Sequence, residues 1–263
     1  MRAGWFAPMA APGHPAAMKE LEGRVALITG AQQGIGAACA LACAQAGADV
    51  AVNWLDDEPL ELAAEIRALG RRCVLIQGDI STVPAGRALH AAAVAALGVP
   101  DVLINNAGIF PRCDFLAMEE AEWDAVMGLN LKAAAFMTQS FARALASQSG
   151  SVVNLCSSAI RGDPRGVHYS ASKNGVVGLT RSTALALAPL GIRVNALAPG
   201  LTDTAQPRFG NSEAELAARV ATIPIARIGR PAEMGDMAVL LASARTAWVT
   251  GQVWHVNGGL YLA

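Results

Sequence analysis

Short β-branched apolar runs alternate along this chain with longer alanine- and leucine-rich stretches. Arg24 to Thr29 (RVALIT) reads as a buried strand, and Gly34 to Ala46 as a helix closed by Gly47. Asp49 to Trp54 predicts a second strand, Pro59 to Leu69 a helix, Cys73 to Gln77 a third strand and Val83 to Leu97 a helix. Asp101 to Asn105 predicts a fourth strand, Ala121 to Ala146 one long helix, and Ser151 to Cys156 a fifth strand. Tyr169 to Leu187 predicts another long helix, Ile192 to Ala198 a sixth strand and Gln252 to Val256 a seventh. Strands alternating with helices of this length imply βαβ crossovers, which are right-handed and place helices on both faces of a mainly parallel sheet. The expected fold class is therefore α/β: one doubly wound Rossmann-type domain over residues 19–263, with a seven-stranded sheet. The least regular stretch, Leu201 to Ile228, carries only a short helix near Ser212 to Ala221 and is a candidate lid.

Composition narrows the function. The chain has 263 residues, 53% of them hydrophobic and 16% charged, enough apolar material for one large core. Its net charge of -1 supplies no basic field for nucleic acid or an anionic membrane. Mean hydropathy is high at +0.36, yet no uncharged apolar run reaches the ~18 residues of a membrane span. The five cysteines contain no CxxC pair, and the four histidines have no metal-ligand spacing, so no disulfide framework and no metal are expected. Residues 1–18 hold Pro8, Pro12 and Pro15 and read as a flexible tail. Met18 is an alternative start to Met1, and a cytoplasmic protein is expected.

Candidate chemistry gathers where strands end. The first strand runs into Gly30-Ala31-Gln32-Gln33-Gly34-Ile35-Gly36. Glycines at a strand-to-helix turn let backbone approach a pyrophosphate, and the helix N-terminus offers free N–H groups. The spacing differs from G-x-G-x-x-G, so the turn alone leaves a plain tight turn open. Asp79, after the third strand, suits an adenine amino group or a simple turn. Asn105, Asn106, Ala107 and Gly108 close the fourth strand with small residues that leave room for a ribose. Tyr169 and Lys173 stand four apart on one helix face. Tyrosine is a poor acid or base near neutrality, and a neighbouring ammonium favours its phenolate form. Ser157, at the end of strand five, is placed to hydrogen-bond a substrate oxygen. Asn130, inside a helix, is unfavourable by propensity.

Taken together and in order, TGAQQGIG at 29–36, Asp79, NNAG at 105–108, Asn130, Ser157, YSASK at 169–173, PGLTDT at 199–204 and VNGG at 256–259 resemble the short-chain dehydrogenase/reductases. The likeness spans roughly residues 20–260. It implies an NAD(P)(H)-dependent oxidoreductase acting on a secondary alcohol or ketone. In that resemblance Tyr169 is the acid/base, Lys173 holds the nicotinamide ribose and supports the phenolate, Ser157 polarises the carbonyl, and Asn130 anchors a relay water. It also assigns cofactor contacts to Gly30, Gln33, Gly34, Ile35, Gly36, Trp54, Asp79, Ile80, Asn106, Ala107 and Gly108. Pro199, Gly200, Thr202 and Thr204 are assigned to the nicotinamide and phosphates. A homotetramer or homodimer is implied.

Two departures matter. The interval from Ser157 to Tyr169 is 12, about one residue shorter than is usual in the family. Neither customary cofactor signature is present near Gln33, Trp54 or Leu55. Asp56 lies 20 residues past Gly36, a spacing that suits a ribose hydroxyl and repels a 2′-phosphate, so NAD(H) is favoured and NADP(H) remains possible. Phe110, Pro111, Arg112, His168 and residues 201–222 are expected to line the substrate pocket, with Phe110 and Phe209 as an apolar wall and Arg112 and His168 as polar handles. A 3-oxoacyl thioester and a sugar both fit such a pocket. An epimerase-like isomerase and a non-catalytic cofactor sensor are the other classes weighed. The first lacks its tighter glycine triplet here; the second usually lacks the Tyr or Lys.

Overall fold

The computed structural model describes residues 19–262 except Ser147 and Gly210, so the predicted tail at 1–18 lies outside the described residues. Seven strands form one sheet: β1 Val25–Ile28, β2 Asp49–Trp54, β3 Cys73–Gln77, β4 Val102–Asn105, β5 Gly150–Leu155, β6 Ile192–Pro199 and β7 Val253–Val256. Their order is β3-β2-β1-β4-β5-β6-β7, and every pairing is parallel rather than mainly so. The order reverses between β1 and β4, which opens a crevice at the carboxyl edge, where ligands bind in such sheets.

Helices cover both faces. They are α1 Gly34–Gln45, α2 Leu60–Ala68, α3 Val83–Leu97, α4 Glu120–Met127, α5 Ala134–Leu145, α6 Val167–Leu187, α7 Ala205–Arg208, α8 Glu213–Val220 and α9 Pro231–Ala242. One core cluster packs α1 and α9 against the sheet through Cys39, Cys43, Met234, Ala238 and Leu241. The opposite cluster packs α3 and α5 through Leu89, Ala93, Met137, Phe141 and Leu145. Strands buried on both faces explain the near-continuous apolar runs.

Two elements differ from the sequence expectation. The single helix expected over Ala121 to Ala146 is interrupted by a π-helical segment at Gly128–Ala133, between α4 and α5. Such a wider turn costs ladder regularity and is kept where a side chain needs re-aiming; here it carries Asn130. Helix α9 was not anticipated. Its signals are Pro231 at the first turn and Glu233, whose Oε2 accepts from Arg230 N at 2.7 Å.

A buried polar network fixes the strand ends beneath the crevice. Asn105 Nδ2 donates to Asn154 Oδ1 at 2.8 Å and to Thr138 Oγ1 at 3.1 Å. Asn154 Nδ2 donates to Thr180 Oγ1 at 3.0 Å. β4, β5, α5 and α6 are thereby tied at one level, with Asn105 Oδ1 the one buried atom of these side chains left without a partner.

Candidate active site

An open cleft of about 960 Å³ runs along the carboxyl edge from the β1–α1 turn to Phe110. It is lined by Gly30, Gln33, Gly34, Ile35 and Gly36 at one end, and by Trp54, Asp56, Asp79 and Ile80 beside the adjoining strand ends. Asn106, Ala107 and Gly108 form its floor. Gly34 has φ +57°, which favours glycine. At Gly36 an added Cβ would lie 2.4 Å from Gly30 O and 2.5 Å from Asn106 Nδ2. Asn106 Nδ2 itself donates to Gly30 O at 2.8 Å and to Thr29 O at 3.0 Å, locking the turn to β4.

Helix α1 opens at this turn with no side-chain cap at Gln33 and no acidic residue in its first turn. Its free N–H groups and positive dipole end are thus available to an anion. A dinucleotide fits this arrangement: uncapped donors meet its pyrophosphate, and glycines permit the close approach. Asp79 accepts from Ser81 N at 2.8 Å and from Ser81 Oγ at 2.9 Å, an Asx turn that faces its carboxylate along the cleft wall. The indole N–H of Trp54 is buried without a protein partner.

A smaller recess of about 100 Å³ continues from the cleft and is lined by Ser157, Tyr169 and Lys173, with Pro199, Gly200, Thr202 and Thr204 opposite. Tyr169 is 7% exposed and Lys173 5%. Lys173 Nζ lies 5.5 Å from the Tyr169 ring centre and donates to Leu155 O at 2.7 Å, leaving two of its three donors for a ligand. A buried ammonium poised in this way suits ribose hydroxyls. Ser157 Oγ accepts from Ala159 N at 3.1 Å, and its own hydrogen is free to turn into the recess. The structure therefore brings Ser157, Tyr169 and Lys173 to one place despite the short interval between Ser157 and Tyr169.

Asn130 sits behind the recess. Its Oδ1 accepts from Ile109 N and its Nδ2 donates to Ile109 O, both at 2.9 Å, while Nδ2 also donates to Ser172 Oγ at 3.2 Å. The side chain clamps the backbone after Gly108. His168 is corrected outright: it is fully buried and lines neither cavity. Its Nδ1 accepts from Tyr169 N at 2.8 Å, and burial pushes its imidazole below the ordinary value. Phe110 is more than a wall, because its ring stacks on Tyr169 at 4.2 Å.

Sequence reasoning missed Asn53 and Thr29. Asn53 Oδ1 accepts from Gly30 N at 3.1 Å and its Nδ2 donates to Gly78 O at 3.0 Å, bridging the glycine turn to the end of β3. Thr29 Oγ1 accepts from Asn106 N and Ala107 N. The signal was a polar residue inside an otherwise apolar strand.

A doubly wound parallel sheet with an uncapped glycine turn and a Ser-Tyr-Lys recess at its switch point defines a nicotinamide-dependent oxidoreductase. The profile of the family described as Enoyl-(Acyl carrier protein) reductase matches residues 30–261. The chain is 39% identical over 252 residues to the L-rhamnose 1-dehydrogenase (NAD(P)(+)) of Sphingomonas sp., covering 93% of this chain and 99% of that protein. It is 38% identical over 248 residues to a 3-oxoacyl-[acyl-carrier-protein] reductase of Staphylococcus aureus, covering 90% and 98%. An NADP-bound structure from Agrobacterium tumefaciens superimposes with a TM-score of 0.85 at 37% identity, covering 92% of this chain and 98% of that one. The chain belongs to the short-chain dehydrogenase/reductase family. It is an NAD(P)(H)-dependent oxidoreductase of the alcohol/ketone type. No described helix is long and apolar enough to cross a membrane, and the described residues contain no cluster of metal-ligating side chains.

Proposed function

We propose that the enzyme interconverts a secondary alcohol of a sugar-type substrate with the corresponding carbonyl, with NAD(H) preferred over NADP(H). The observation that carries the reading is the joint lining of one recess by Ser157, Tyr169 and Lys173. The likeness to a rhamnose dehydrogenase favours a compact polyol. A 3-oxoacyl thioester is the second reading. It is favoured by the likeness to the acyl-carrier-protein reductase and by the exposed Phe209 on the cleft rim.

When bound, the nicotinamide supplies or accepts the hydride. Tyr169 Oη donates its proton to the carbonyl oxygen in reduction and withdraws the hydroxyl proton in oxidation. Ser157 Oγ hydrogen-bonds the same oxygen and stabilises the charge developing there. The Lys173 ammonium stabilises the phenolate and holds the ribose hydroxyls. Asn130 anchors a relay water and, through Ile109 and Ser172, is also a positioning residue.

For the dinucleotide, Gly30, Gln33, Gly34, Ile35 and Gly36 meet the pyrophosphate. Trp54, Asp79 and Ile80 flank the adenosine, Asn106, Ala107 and Gly108 the riboses, and Pro199, Gly200, Thr202 and Thr204 the nicotinamide. Asp56 on the cleft rim repels a 2′-phosphate, which favours NAD(H). A cytoplasmic homotetramer or homodimer completes the reading. Titration with NADH and NADPH, followed by an absorbance screen at 340 nm with aldoses, sugar acids and 3-oxoacyl thioesters, tests it. Tighter NADPH binding, or turnover confined to thioesters, overturns the respective part.

A further inference from the structure

Arg112, expected from the sequence to line the pocket, lines neither the cleft nor the recess but packs on Phe110, which lines the cleft. The Arg112 guanidinium lies 4.7 Å over the Phe110 ring, and that ring stacks 4.2 Å from Tyr169. Arg112 therefore stands one aromatic layer from the acid/base. It donates to the carbonyls of Phe209 and Gln206, both on the cleft rim. A guanidinium has five N–H donors, so three remain. Arg165 is brought beside it by the bond from Cys113 N to Arg165 O at 3.1 Å, and its own guanidinium donates to the neutral Asn211 Oδ1 at 2.8 Å.

Among the described residues, the ion pairs use other arginines. The nearby carboxylates are engaged locally. Asp163 accepts from Arg165 N at 3.0 Å, and Glu215 caps α8 through Ser212 N and Oγ. Burial first, then Arg165 and Arg219, draw the Arg112 guanidinium below its ordinary value, against smaller opposing effects of Asp163 and Tyr169. Arg112 is half-buried and Arg165 exposed, and Asp163 and Glu215 offset part of their charge. The planar fork of arginine matches a carboxylate in two parallel bonds.

We propose that Arg112, flanked by Arg165, binds a carboxylate of the substrate, which makes the substrate a hydroxy or oxo acid whose reacting carbon lies several bonds from its carboxyl group. The proposal rests on the oxidoreductase reading and names its substrate class. Arg112 would thus be a specificity-determining residue beside Phe110 at the cleft rim.

The test pairs acids with their own amides, equal in size and different in charge. Aldonic and 3-deoxyaldonic acids, their amides and a sugar phosphate are assayed at 340 nm with both nicotinamides. Their binding to the NADH-loaded Tyr169→Phe protein is measured by calorimetry, which decides in the absence of turnover. The expected result is a preference for acid over amide of about 30-fold, the size of a charge-assisted bidentate contact. Arg112→Gln should remove that preference while changing the amide constants less than about threefold. Arg112→Lys should restore part of it, and Arg165→Gln should cause a smaller loss confined to acids.

Equal constants for acids and amides overturn the proposal. So does an Arg112→Gln variant that weakens both alike, since Arg112 would then act only as a tether for residues 206–209. Preference for the phosphate over the acid overturns it too. All three outcomes leave nicotinamide binding intact. Failure of the oxidoreductase reading looks different: the wild-type protein then binds neither NADH nor NADPH.

Discussion

At the β1–α1 end of the groove the backbone has no room to change. A Cβ on Gly36 would meet main-chain and amide atoms at 2.4 and 2.5 Å, and Asn53, Asn106 and Thr29 bond the turn to three strands. At the other end, residues 201–228 form helices of four and eight residues, with Phe209 69% exposed. That segment is held by side-chain bonds from Arg112 and Arg165, by the bridge between Thr202 and Gly229, by the bond from Ile225 N to Gly258 O at 3.1 Å and by the buried Leu216 and Ile223. The contrast separates two kinds of information. What every substrate needs, a dinucleotide and a proton carrier, is built into packed backbone. What distinguishes one substrate from another is carried by surface side chains that can change without disturbing the core.

Four substitutions and one titration probe that division, in order of expected effect. Tyr169→Phe removes the proton carrier shared by both ends, and kcat should fall by about 10³-fold or more while NADH affinity stays within about twofold. Stopped-flow rates and fluorescence titration check both. Gly36→Val should weaken nicotinamide binding by roughly 100-fold and lower Tm, because it meets the backbone of Gly30 and Ala31, which cannot yield, and the bonded amide of Asn106. A variant that binds NADH normally would break the comparison. Lys173→Met should cost about 10- to 100-fold in kcat/KM and weaken the cofactor as well. In Phe209→Ala the change should be less than about tenfold and lie in KM, with Tm nearly unaltered, as expected of an exposed side chain.

The smallest effect concerns pH. Burial lowers the imidazole values of His90, His168 and His255. The unfolded chain then binds more protons than the folded one between the lowered values and the ordinary 6.5. The histidine contribution is fully present above that value and is lost as pH falls below it. Calorimetric Tm should therefore decline from pH 7.5 to 5.5, and His168→Gln should flatten the slope.

Much of this was legible in the residues. The strand runs and their spacing announced the parallel sheet, because strands buried on both faces cannot alternate with polar residues. Tyr169 and Lys173 were legible as a pair because helical periodicity puts them on one face. Ser157 was placed by its position at a strand end. His168 was misread because adjacency to Tyr169 in sequence says nothing about which way a helical side chain points. The long helix at 121–146 was misread because periodicity shows apolar positions, and a wider π turn hardly alters them. Asn53 and Thr29 were overlooked since the partners that tie the turn lie 23 to 78 positions away.

The order of apolar runs, the turn glycines and the one-face pairing of Tyr169 with Lys173 are properties of local chain stiffness and hydrophobic period, and the sequence alone determined them. The tertiary structure decided the rest. It brought the Arg112 loop beside Phe209 and Arg165, laid Phe110 on Tyr169, and turned Asn130 toward Ile109. Those contacts join residues 21 to 97 positions apart. They form because the strand order reverses between β1 and β4 and opens a crevice there, and no local propensity encodes where distant loops will meet.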